Sequence, residues 1–204
     1  MVSYEHKVKN IYLGAGTLPS WYQEVEYIES SGTQWIDTWY NPTWNTTCEI
    51  KFYVKSWSGV WIFGVDTDWL NKSYSVFRDR VFVYGTQTAR QSGGTNYLLN
   101  NTLYVLEHKN DKVYLNWTLD YTFTHESFTS QYSTSIFAKK RWNNIEAYSS
   151  IKLYYMKIWD DWMLVRDFVP CYRTEDDVIW LYDKVNNVFY TNSWTWTFTK
   201  WPDV

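Results

Sequence analysis

Glycine is scarce in this sequence. Eight glycines in 204 residues fall well short of the usual share of roughly 7%. Tight turns are ordinarily built on glycine, because it reaches positive φ without steric cost. Turns in this chain must therefore use other residues, or carry strain. Cysteine is scarcer still: Cys48 and Cys171 alone exclude a disulfide framework. Each lies in an apolar-alternating segment, so both are read as buried free thiols, with a single bridge left open. Histidine is limited to His6, His108 and His125, a thin inventory for proton transfer. Glu107–His108 and His125–Glu126 are sequence neighbours, and neighbours on a strand face opposite ways, so neither pair makes a site by itself. The chain contains no HExxH, GxSxG or phosphate-loop motif, and Cys171 has no local partner that marks a nucleophile.

No basic excess is present either. The formal net charge of -3 argues against nucleic acid as a partner, since such proteins show a basic patch or stripe. The one basic cluster, Lys139, Lys140 and Arg141, is read as a solvated turn. No apolar run approaches the about 20 residues of a membrane-spanning helix, so no membrane partner is expected. The opening MVSYEHKVKN has charges but no apolar core, so no secretory signal is expected.

What the chain does have is aromatic residues, 22% of the whole, including 15 tryptophans. It also has short β-favouring runs separated by Asx-rich turns. In residues 48–55, Cys48, Ile50, Phe52 and Val54 alternate with Glu49, Lys51, Tyr53 and Lys55, the pattern of a half-buried antiparallel strand. Further strands are expected over residues 25–28, 35–36, 60–65, 74–77, 80–84, 103–109, 112–117, 121–123, 135–138, 150–159 and 163–169. Asn110-Asp111 reads as a two-residue hairpin turn, and Pro170 is expected to end its strand's pairing. Residues 178–198, VIWLYDKVNNVFYTNSWTWTF, read as strand, turn, strand, turn, strand, with Asp183, Asn186 and Asn187 supplying the first turn. No helical periodicity, fixed-period repeat or low-complexity tract is visible. The expected class is all-β, an antiparallel two-sheet β-sandwich. Residues 1–17 read as an N-terminal strand or linker, and 18–204 as one domain.

Two stretches carry a family resemblance. LPSWYQEVEYIESSGTQWIDTWYNPT opens the domain, and SSIKLYYMKIWDDWMLVRDFVPCYR with VIWLYDKVNNVFYTNSWTWTF closes it. Together they resemble the concanavalin A-like, laminin-G-like jelly-roll domains of phage structural proteins and bacterial surface proteins. The resemblance spans roughly residues 18–198 and is weakest over 74–137. It implies a jelly-roll fold with the opening strand close to the C-terminal hairpin, and it says little about function, because this fold hosts many. The departures follow a rule. Trp21, Trp39, Trp162, Trp180, Trp194 and Trp196 stand where the family pattern has glycine, and Trp117 and Trp142 stand in hairpin turns. Trp44 and Trp201 are further candidates, whereas Trp57 and Trp159 look ordinary. A bulky residue at positive φ is a steric outlier. A UGA codon read as glycine in the living organism and as tryptophan in translation would give this pattern.

For binding, Asp66, Asp68, Trp69, Tyr74 and Arg78 form one candidate loop set, and Arg141 with Asn143 another. Asp66/Asp68, Asp160/Asp161 and Asp176/Asp177 are acid pairs read as solvated turn residues. No cofactor is expected, and a structural Ca²⁺, which wants six to eight oxygens from several loops, is left undetermined. Glycosidases of similar form carry paired inward carboxylates on one strand. Glu24 and Glu26 share a face but lie in the opening strand, where the resemblance gives them no catalytic role. The expected function is therefore non-catalytic: a binding or structural module of a phage virion, tail- or fibre-associated, contacting host-surface glycan. The alternatives are a ligand-free assembly or decoration module, whose partners are other virion proteins or copies of itself, and a bacterial cell-surface adhesin domain.

Overall fold

The computed structural model describes residues 17–55, 61–67, 72–77, 81–89, 98–193 and 197–204. The expected N-terminal segment, the loop at 91–96, and Asp68, Trp69, Arg78, Trp194 and Trp196 lie outside them or at their masked edges. In chain order the strands are β1 (Tyr22–Glu29), β2 (Ile36–Asp37), β3 (Thr46–Val54), β4 (Trp61–Asp66), β5 (Ser73–Phe77), β6 (Val81–Gly85), β7 (Gln87–Ala89), β8 (Thr102–Lys109), β9 (Lys112–Leu115) and β10 (Thr118–Thr122). They continue with β11 (Ser135–Ile136), β12 (Lys139–Arg141), β13 (Asn144–Glu146), β14 (Ile151–Asp160), β15 (Met163–Arg173), β16 (Ile179–Asp183), β17 (Val188–Thr191) and β18 (Thr199–Asp203). No helix occurs among the described residues.

The strands form two sheets, one of ten strands in the order β10-β9-β8-β3-β14-β1-β15-β16-β17 with β18 on β1, and one of eight. The fold is all-β, an antiparallel β-sandwich. β3 shows why. Cys48, Ile50, Phe52 and Val54 are buried at every second position, facing inward between the sheets. Their outward neighbours stay half-exposed. From the smaller sheet, Phe63, Val65, Tyr74, Val76, Phe82 and Tyr84 meet them in one continuous core. A second apolar cluster, Tyr22, Val169, Cys171, Trp180, Tyr182 and Phe189, is packed with Leu18 and Val178 over β15–β17. Both cysteines are buried free thiols. Burial pushes the Cys48 thiol up to about 12, far from a reactive thiolate.

Three expectations are corrected. Lys139, Lys140 and Arg141 are not a solvated turn. They form β12, which pairs with β4 in parallel, Arg141 opposite Asp66, and Lys139 is only 5% exposed. Charged residues bury when they are paired, and here the partners come from distant chain: Asp66 accepts from Lys139 at 3.1 Å, and Asp37 from Lys140 at 2.7 Å. Pro170 does not end its strand, for it pairs with Leu181 of β16. On its other side β15 changes partner from β14, up to Phe168, to β1, from Cys171. That gap is the place in the strand that tolerates a residue with no N–H to give. The last strand, expected by Phe198, is not formed at Thr197–Phe198; β18 begins at Thr199, while Trp194–Trp196 lie outside the described residues. Trp180, where the family pattern has glycine, lies inside β16, opposite Cys171 and Thr191.

Candidate binding surface

Asp66 and Arg141, assigned to different loop sets from sequence, stand 3.3 Å apart. Asp66 ends β4, and its carboxylate accepts from Ser73 Oγ at 2.8 Å, Lys139 Nζ at 3.1 Å and Arg141 Nη2 at 3.3 Å. Burial pushes the Asp66 carboxyl up, but these hydrogen bonds and the two cations outweigh it and hold it below the ordinary carboxylate range. Arg141 also meets Glu146 at 3.3 Å, and the Lys139 ammonium lies 4.3 Å from the Trp61 ring centroid. This network ties β4, β12 and β13 together. Asn143 is exposed in the β12–β13 turn. Tyr74 is buried at 1% and faces the core, where its hydroxyl lies 2.9 Å from His108 Nδ1. It is a core residue and offers no surface contact.

Among the described residues, no three or more His, Cys, Asp or Glu side chains gather as a metal site. Asp160 accepts from Thr43 Oγ1 at 3.3 Å, and Asp176 pairs with Arg173. His108 is fully buried amid Tyr74, Phe82, Tyr84 and Phe123. Burial pushes it down to about 4, so it is neutral at pH 7 and sealed from any substrate. His125 is exposed, edge-on to Trp44 with ring centroids 4.7 Å apart.

A different surface brings polar and aromatic groups together, on the outward face of the ten-stranded sheet. In β3 the outward positions are Glu49, Lys51 and Tyr53. In β14 the register shifts between Leu153 and Tyr155. This bulge inserts Tyr154 as an extra residue, so Tyr154 and Tyr155 both serve the outer face although they are consecutive. The Lys51 ammonium lies 4.7 Å from the Tyr154 ring centroid. Lys152 donates to Tyr27 Oη at 2.8 Å and lies 5.2 Å from the Tyr53 ring. Tyr155 donates to Glu49 Oε1 at 2.7 Å. Beside this layer runs an open groove of ≈ 460 Å³ lined by Lys51, Leu103, Val105, Asn116, Trp117 and Tyr155. Its size falls within the range of small-ligand sites.

The groove's far wall is the β9–β10 turn. Leu115 pairs with Thr118, leaving Asn116-Trp117 as a two-residue loop with φ of 47° and 63°. Positive φ at both positions is the type I′ signature, which favours Asn-Gly. Asn116 is pinned to β8, donating its backbone N–H to Val105 O at 2.8 Å and accepting from Val105 N at 2.9 Å. Trp117, at the position preferred by glycine, projects 74% exposed. The sequence pattern gave Lys51 and Tyr53 their outward side. The groove escaped it because β3, β8, the β9–β10 turn and the bulge in β14 assemble it from four separated stretches. No family model, curated protein or solved structure matches this chain.

Proposed function

We propose that the chain is a non-catalytic contact module of a phage particle, tail- or fibre-associated, built on a concanavalin A-like jelly roll and gripping host-surface glycan. The observation that carries this reading is the groove on the outer sheet face. The apolar C–H face of a pyranose packs on aromatic and aliphatic walls, here Tyr155, Trp117, Leu103 and Val105, while its hydroxyls need a few placed polar groups, here Lys51 and Asn116. A single shallow site of this kind binds weakly, and display of several copies on one particle raises avidity without new contacts. The test is a glycan array probed with the labelled full chain, followed by titration on host envelope preparations. Saturable binding supports the reading; no saturable binding to any glycan or envelope sinks it.

A second reading, a ligand-free virion assembly module, is favoured by one observation. Leu103, Trp117, Leu119 and Tyr121 are exposed at 41%, 74%, 52% and 37% around the terminal strand β10. Concentration-dependent association in sedimentation velocity separates it from the first. Neighbouring tail genes favour the phage particle, and sortase or secretion genes favour a bacterial surface adhesin.

The same resemblance supports a proposal about the sequence itself, that many turn tryptophans are glycine in the living protein through UGA recoding. Trp39, Trp117 and Trp142 have φ of 51°, 63° and 53°, values that glycine adopts freely and bulky residues avoid. Trp21 and Trp162 are exposed without positive φ, and Trp180 is buried in a strand, so these three lend it no conformational support.

A further inference from the structure

We infer that the outer-face groove selects an acidic saccharide, whose ring packs against Tyr155 and whose carboxylate meets Lys51; this rests on the glycan-contact reading above. The argument turns on Lys51. Its flanking lysines on the same face are already neutralised: Lys55 pairs with Glu29, and Lys109 with Glu107 at 2.6 Å. Lys51 is not. Among the described residues no carboxylate pairs with it, and its ammonium rests on the Tyr154 ring at 4.7 Å. That ring holds the cation in place and leaves its N–H donors for another partner. Glu49, two residues away on the same outward side, keeps its negative charge but is turned onto the Tyr155 hydroxyl at 2.7 Å and makes no ion pair with Lys51. Lys51 is therefore the one charged side chain lining the groove, and among the described residues it is in no ion pair, with an apolar body of Leu103, Val105 and the Tyr155 ring beside it.

A neutral sugar would satisfy the walls and leave the ammonium without its best partner. An anion with no apolar face would satisfy the ammonium and gain nothing from the walls. A ring that carries both a C–H face and a carboxylate, as uronic and related sugar acids do, matches both ends at once. A carboxylate accepting from an ammonium makes a charge-assisted hydrogen bond, roughly twice as strong as a neutral one.

The experiment is titration calorimetry of the full chain with trigalacturonate, and with its fully methyl-esterified form as a neutral partner of the same shape. The acidic form is expected to bind at least tenfold more tightly at low salt, with affinity falling as salt rises. Lys51→Gln should abolish that preference while lowering the melting temperature only slightly, through loss of the Tyr154 contact. Tyr155→Phe should keep it, since the ring stays, whereas Tyr155→Ala should weaken both ligands. Equal binding of the two forms, or a preference that survives Lys51→Gln, overturns the acidic-sugar inference. If the glycan array still shows saturable binding by another sugar, the glycan reading stands while this inference falls. If neither probe nor array binds, both fall together.

Discussion

The ten-stranded sheet has two faces built from the same strands, and they tolerate very different things. Along β8, Tyr104, Leu106 and His108 face inward and are 7%, 5% and 0% exposed; on the outward face Leu103 is 41% exposed, whereas Val105 and Glu107 are covered, at 7% and 8%. Inward positions are fixed by packing, so any change of size or charge is felt. The exposed outward positions of β3 and β14 hold Tyr–Lys contacts beside an open groove, where side chains can change at small cost in stability. Around β3, β8 and β14 the packing that holds the fold lies on the inward face and the candidate site on the outward one, so substitutions there should separate stability from binding; over β15–β17 the outward face is itself covered by the second apolar cluster.

The largest expected difference tests that separation directly. Phe52 is 0% exposed in the middle of β3, whereas its neighbour Tyr53 is on the outward face. Phe52→Ala should cost about 3–5 kcal/mol, the range for a large buried aromatic. Tyr53→Ala should cost about 1 kcal/mol or less, because it loses one 3.3 Å hydrogen bond to Asn101 and some cation–π contact. Urea denaturation of both variants measures this. Similar losses would show that the inward and outward faces of β3 contribute alike to stability.

Acid titration should come next in size. His108 is sealed between the sheets, its Nδ1 is engaged with Tyr74, and its Nε2 has no hydrogen-bond partner. The groups facing it are Cys48 and Tyr74, with Tyr84 and Asp111 nearby. In the folded state burial brings the imidazole down to about 4, against about 6.5 unfolded. The folded state therefore prefers the neutral ring. Stability is fully present above about pH 6.5 and falls as pH drops toward 4, by about 3 kcal/mol in all. His108→Phe should flatten the curve in that window. Carboxylates such as Asp66, held below their ordinary range, weaken the fold only at still lower pH, so the two phases are separable. An unchanged slope between pH 6.5 and 4 in His108→Phe would remove His108 from the account.

How much of this was legible before the structure follows the same division. The inward alternation of residues 48–54 is local, and β3 forms as the pattern predicts. The Asn110-Asp111 turn likewise forms, closing Lys109 against Lys112. What failed to show in the sequence depends on contacts between distant stretches. β12 looks like a solvated basic cluster until Asp66, 73 residues away from Lys139, is placed beside it. Tyr74 looks like a surface aromatic until its strand's inward side is fixed by pairing with β4 and β6. The groove depends on a bulge at Tyr154, and one inserted residue leaves no trace in the spacing of apolar positions.

The smallest effects concern the two turns at the ends of β9, Asn110-Asp111 and Asn116-Trp117. Both turns are two residues long, and both need positive φ. Asn110 supplies it at 54°, as do Asn and Asp at six of the eleven non-glycine positive-φ sites in the described residues. Asx side chains tolerate that region; an indole at Trp117 does not. A left-handed conformation costs a non-glycine residue about 1–2 kcal/mol, and glycine returns about 0.5–1 kcal/mol of that through its freer unfolded chain. Trp117→Gly should therefore raise stability by about 0.5–1 kcal/mol, since a side chain 74% exposed gives up little packing. Trp39→Gly should gain less, because Trp39 also packs on Tyr190 with ring centroids 5.1 Å apart. Asn110→Gly should change stability by less than about 1 kcal/mol, since Asn already tolerates positive φ and glycine's freer unfolded chain offsets the remaining gain. The same series examines the recoding proposal at the level of the gene. UGA at Trp39, Trp117 and Trp142 with UGG at Trp57 and Trp159, and glycine in peptides of the native protein at the UGA sites, would make the stabilised variant the natural one. The groove would then lose its indole wall and keep Lys51, Tyr155, Leu103 and Val105. UGG throughout would mean that the chain bears real strain at Trp117, and trigalacturonate binding to Trp117→Gly would then report what the indole contributes to the site.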